Sequence, residues 1–73
     1  MTFADLISQW PSTAEFSRDM GVTVDLASKW RRERGVPSTR WGEMLRAAKA
    51  RRIRLTADML IEAEKLARAE RAA

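Results

Sequence analysis

At 73 residues the chain is long enough for one domain with a thin core, because a chain of this size buries only about 60% of the surface it exposes when unfolded. Cysteine and histidine are both absent, which excludes disulfide frameworks, zinc fingers and histidine-based catalysis and leaves only scattered carboxylates as metal donors. The basic residues number 14 against 10 acidic ones, and the net charge of +4 points to a polyanionic partner.

No stretch approaches the roughly 18 apolar residues of a membrane helix. Met1-Thr2-Phe3-Ala4-Asp5 has neither the basic nor the apolar region of a signal peptide, so a cytoplasmic protein is expected. A first helix is predicted from Phe3 to about Gln9 with Thr2 as N-cap, its apolar stripe being Phe3, Leu6, Ile7 and Trp10. Trp10-Pro11-Ser12-Thr13 opens a second, with Ser12 and Glu15 as a capping box, Met20 as its end and Gly21 as the left-handed residue after it. Thr23 caps a third, with Asp25 in its first turn, and Gly35 stops it after Arg34.

Val36-Pro37-Ser38-Thr39 repeats the apolar-Pro-Ser-Thr order of residues 10–13, so Ser38 is expected to cap a fourth helix with Trp41, Met44, Leu45 and Ala48 on one face. Arg51 to Leu55 reads either as a continuation of that helix or as a short extended connection. Thr56 then caps a last helix carrying Met59, Leu60, Ala63, Leu66 and Ala67 on one stripe and Glu64–Arg68 as an i,i+4 pair. The expected fold is all-α: a compact bundle of about five short helices, read as one domain over residues 1–73.

Two short helices joined by a Gly-containing turn, over about residues 12–34, have the layout of a helix-turn-helix. Small Ser17 allows close helix approach, Phe16 and Met20 point to the core, Gly21 permits positive φ, and Val22 plugs the turn. At about 100° per residue, Leu26, Ala27 and Trp30 cluster inward, while Asp25, Ser28 and Arg32 face outward, flanked by Val24, Lys29 and Arg31. Such a face is able to enter a groove, donate to guanine or phosphate, and touch a thymine methyl.

The run from Thr13 to Trp30, continuing through Arg31-Arg32-Glu33-Arg34-Gly35-Val36-Pro37, resembles phage and prophage Cro/CI-type repressors. It is most similar to the Cro-like, YdaS-type group of small regulators, in its Lys29-Trp30-Arg31 pattern, the Gly-Val-Pro stop and the Arg40-Trp41 that follows. The resemblance covers roughly residues 3–60. It implies base contacts from Val24, Asp25, Ser28 and Lys29, with Arg32 at bases or backbone and Ser12 and Thr13 holding a phosphate at a helix N-terminus; Thr23, Arg31, Arg34 and Arg40 are further candidates for backbone contact. Ala27 departs from the branched aliphatic residue that the group more often carries, which bears on the tilt of the recognition helix.

Other readings of the same residues stay open. Trp10, Trp30 and Trp41 suit base stacking in principle, but their places on apolar stripes make them core. Arg46, Lys49, Arg51, Arg52 and Arg54 read either as a phosphate clamp or as a solvated face. The last helix, over about 57–72, caps the bundle or is shared between subunits, and its Asp58, Glu62, Glu64 and Glu70 argue against anionic lipid.

The expected function is therefore a repressor that occupies an inverted-repeat operator in double-stranded DNA as a homodimer, with two recognition helices about 34 Å apart. Neither a cofactor nor a small-molecule ligand is expected. An antitoxin-like or adaptor protein whose last helix binds another protein is the alternative, and an architectural, DNA-bending protein a third. An enzyme is the least expected class, given the lack of histidine, cysteine, a Gly-rich phosphate loop and paired carboxylates in an apolar setting.

Overall fold

Four hydroxyl residues set the starts of four of the five α-helices found in the computed structural model, which describes residues 1–72. The helices are α1 (Phe3–Ile7), α2 (Thr13–Met20), α3 (Val24–Lys29), α4 (Trp41–Ala50) and α5 (Ala57–Ala72), and there is no strand among the described residues. Thr2, Ser12, Thr23 and Thr56 each accept a hydrogen bond from the backbone N–H three residues on, at 3.1–3.2 Å. At α1 the box closes, since Asp5 accepts from the Thr2 N–H at 3.0 Å.

Several expected details differ. Helix α1 stops two residues early, at Ile7, and Gln9 and Trp10 instead donate to carbonyls three residues back. Pro11 accounts for the limit, because it has no N–H to bond the Ile7 carbonyl four residues back and its ring crowds that carbonyl. Only half of the expected box at Ser12 forms: the Glu15 carboxylate turns away to Arg18 and Arg51. Ser38 makes no side-chain cap; a 3₁₀ turn, Ser38–Arg40, leads into α4 instead.

The third helix does run on to Arg34, but through a π turn, Trp30–Arg34, in which the Gly35 N–H donates to the Trp30 carbonyl at 3.0 Å. Gly35 follows at φ +74 and ψ 172, a conformation open essentially to glycine alone. It lies under the Phe3 ring so closely that a Cβ there would come 2.3 Å from a ring carbon.

Residues 51–55 resolve as a turn at Arg51 and Arg52 followed by chain outside any helix. The Ile53 N–H bonds to the Ala48 carbonyl and the Arg52 N–H to the Lys49 carbonyl, a Schellman cap with Arg52 in the left-handed position, φ 60. Helix α2 ends the same way around Gly21, φ 68, with Val22 bonding back to Ser17 and Gly21 to Arg18.

The core joins Phe3, Leu6, Ile7 and Trp10 with Phe16 and Met20 from α2, Ala27 and Trp30 from the third helix, Val36, and Met44, Ala48, Leu60 and Ala63 from α4 and α5. Phe16 sits edge-on between two indoles, its ring centre 5.0 Å from that of Trp10 and 6.5 Å from that of Trp30. Trp10 and Trp30 are core, as expected, whereas Trp41 is half-buried and donates its indole N–H to the Val36 carbonyl at 2.9 Å. On α5, Leu60 and Ala63 are buried and Met59 and Ala67 pack against them, but Leu66 stands 40% exposed. No described helix is long and apolar enough to cross a membrane.

Candidate nucleic-acid interface

Helix α3 begins where Gly21 and Val22 turn the chain and the Thr23 hydroxyl accepts the Leu26 N–H, so Val24 is its first residue. The buried Ala27 and Trp30 define its inner side. Ser17, buried on α2, completes its own hydrogen bonding locally by donating to the Ala14 carbonyl at 2.7 Å, so the α2–α3 contact leaves no buried polar group unpaired.

Opposite that inner side stand Asp25, Lys29 and Arg32, all exposed, with Ser28 half-buried and Val24 at 48% exposure beside them. Among the described residues the Asp25 carboxylate and the Lys29 ammonium have no ion-pair partner (the Arg32 Nε–H donates to the Ser28 carbonyl at 3.4 Å). Leu26, expected inward, is 38% exposed. The inner side is already set by Ala27 and Trp30, and a residue one step before Ala27 is carried about 100° round the axis, to the rim.

Asp25, Ser28, Arg31 and Arg32 line one open depression together with Thr13, from the first turn of α2. Arg31 draws the two helices' ends together: its guanidinium donates to the Thr13 hydroxyl at 3.4 Å and to the Ser8 hydroxyl at 3.2 Å. Ser12 shares a second depression with Thr13 and Arg31 on the same side. Val24, Asp25, Ser28, Lys29 and Arg32 thus share one helix, and Ser12, Thr13 and Arg31 border it, while Thr23 spends its hydroxyl on the cap. Arg34 and Arg40 lie elsewhere. Arg34 lines a groove with Glu64 and Arg71, its carbonyl accepting from Arg71 at 3.4 Å, and Arg40 pairs with Glu43 at 3.3 Å.

One cluster was not visible in the sequence. Arg51, read there only as part of a basic run, is an internal clamp between the C-terminal end of α4 and α2. Its guanidinium takes the Asp19 carboxylate at two points and the Glu15 carboxylate at 2.9 Å, and the Trp10 indole N–H donates to Asp19 at 2.9 Å. The Arg51 hydrogen bonds hold the Asp19 carboxyl below its ordinary range, helped by Trp10, and the two carboxylates push the Arg51 guanidinium up. The pairing spans 32 and 36 residues, so no local pattern announces it.

Arg46, Lys49, Arg52 and Arg54 remain exposed and make no ion pair among the described residues. Compared with protein families, with curated proteins and with solved structures, the chain matches none.

Proposed function

We propose that the chain is a sequence-specific DNA-binding regulator, a Cro-like repressor in which α2, the Gly21 turn and α3 form a helix-turn-helix and α3 enters the major groove. The observation that carries this reading is the outward face of α3: polar and charged side chains with no ion-pair partner among the described residues, on a helix packed from behind through Ala27, Trp30 and Phe16. Lys29 and Arg32 are donors suited to guanine, Asp25 an acceptor suited to a cytosine amino group, and Val24 an apolar contact for a thymine methyl. The first turn of α2, with Thr13, Ser12 and Arg31 beside it, supplies backbone contacts that set the register of the docked helix. A homodimer on an inverted repeat doubles the few base pairs that one such helix reads. Repression would follow from occupancy of the site.

Selection from random duplexes, followed by titration at several salt concentrations, tests this. Affinity should fall steeply with salt while the preference persists. Lys29→Ala and Ser28→Ala should change the selected sequence, each losing about 1–3 kcal/mol of discrimination at one position. Arg46→Ala should leave the preference intact. Selection of no duplex over random sequence would remove the proposal.

A further inference from the structure

The basic run left over by the site has an apolar floor. Leu45 of α4 and Ile53 and Leu55 of the connection, all half-buried, line a groove whose rim is Lys49, Arg52 and Arg54, with no carboxylate in it. Its complement lies on the same chain. Asp58, Ile61, Glu62 and Lys65 follow at i, i+3, i+4 and i+7 along α5, on the side away from buried Leu60 and Ala63, with Ile61 43% exposed. Among the described residues Asp58 and Glu62 make no ion pair, within α5 or with the groove.

We infer that the occupant of this groove is the Asp58–Ile61–Glu62 stripe of a second copy of the chain. In a two-fold pair each copy supplies both a groove and a stripe, so the contact is made twice and covers six rim charges and two isoleucines. Ile61 meets the floor of Leu45, Ile53 and Leu55, while Asp58 and Glu62 meet Lys49 and Arg54; Lys65 faces outward at the edge. Doubling matters because a stable interface buries at least about 1,000 Å² in total, more than one short stripe provides. A phosphate backbone would satisfy the rim but leave the hydrocarbon floor wet. A two-fold reader of DNA needs a second copy, and in that respect alone the pairing rests on the DNA reading.

Charge reversal on the full chain tests the pairing without DNA, by sedimentation across a dilution series. D58K/E62K reverses the stripe and K49E/R54E the groove, all at exposed positions, and circular dichroism confirms that each variant folds. Each alone should weaken self-association about tenfold or more, because like charges then face each other. Mixed one to one, the two should form a heterodimer, since each altered surface then meets its complement. A monomeric wild type, variants that associate as well as wild type, or a mixture that fails to pair overturns the inference. So does K49E/R54E losing duplex or acidic-peptide binding with self-association unchanged. A wild type that dimerises through these surfaces but selects no duplex sinks the DNA reading alone, and one that selects a duplex as a monomer sinks the pairing alone.

Discussion

Two residues sit in backbone conformations that reward opposite substitutions. Gly35 combines φ +74 with ψ 172 and has the Phe3 ring where a Cβ would be. Gly35→Ala should incur the strain of that backbone region, about 1–3 kcal/mol, and an overpacking cost of about 1–3 kcal/mol. Together these are a large share of a small domain's stability. Calorimetry should show a melting temperature lower by more than about 10 °C, partly recovered in the double variant with Phe3→Leu; an unchanged Tm would refute the contact. Arg52 is the converse case, a non-glycine at φ 60 after α4. Arg52→Gly should be more stable than Arg52→Ala by about 0.5–1 kcal/mol, the relief of the left-handed penalty less the added freedom of the unfolded chain. Comparing the two variants with each other removes the effect of the lost charge.

At the scale of elements, what was legible was local. Thr2, Ser12, Thr23 and Thr56 act within three residues of themselves, and each hydroxyl cap expected there is made, though the Glu15 half of the box at Ser12 is not. Ser38 has the same neighbours in sequence as Ser12, yet the backbone enters α4 through a 3₁₀ turn and leaves its hydroxyl unused as a cap. The π turn was not legible, because its extra residue coincides with tertiary demands: Trp30 edge-on to Phe16, and Gly35 under Phe3, which is 32 positions earlier. At the candidate interface the outward face of α3 could be read by rotation, and Leu26 was misplaced because rotation alone does not say how wide the inner side is.

The α2–α4 clamp carries its own pH dependence. Arg51 holds the Asp19 carboxyl below its ordinary value in the folded state, so the contact stabilises the fold above that ordinary value. The contribution is lost as pH falls through the depressed value, where the folded carboxyl finally takes up its proton. Thermal unfolding followed from pH 6 down to about pH 2 should therefore show a shallower decline for Asp19→Asn than for wild type. At neutral pH the variant should also be the less stable of the two. Parallel curves would mean that the clamp contributes nothing.

For the whole molecule, size and shape limit what one copy can do. Its extents of 34 × 25 × 20 Å match about one turn of B-DNA, which is about 34 Å long. Under the proposed DNA-binding reading, one copy would meet the major groove on one face of the duplex at one place. Retardation of duplexes carrying one or two selected half-sites should show the consequence: the paired site, with centres 10–10.5 base pairs apart, should bind far more tightly than the single one. Equal affinities would mean that copies bind independently. If the chain binds DNA as proposed, its charge is unevenly available, since Arg51 is held inside the fold and Arg40 pairs with Glu43, so the salt response should report fewer contacts than the 14 basic residues suggest.

The tryptophans also decide what light can reveal about the protein. With three Trp and no Tyr, its near-ultraviolet emission comes from indole alone. Trp10 and Trp30 are buried in the core, Trp41 is tied to the Val36 carbonyl, and none lines the depression at Asp25, Ser28 and Arg32, although Trp10 borders the one at Ser12. Emission should shift strongly when the core opens and change far less when a duplex docks on α3. Intrinsic fluorescence is thus first a gauge of folding, and binding is followed more directly from a dye on the nucleic acid.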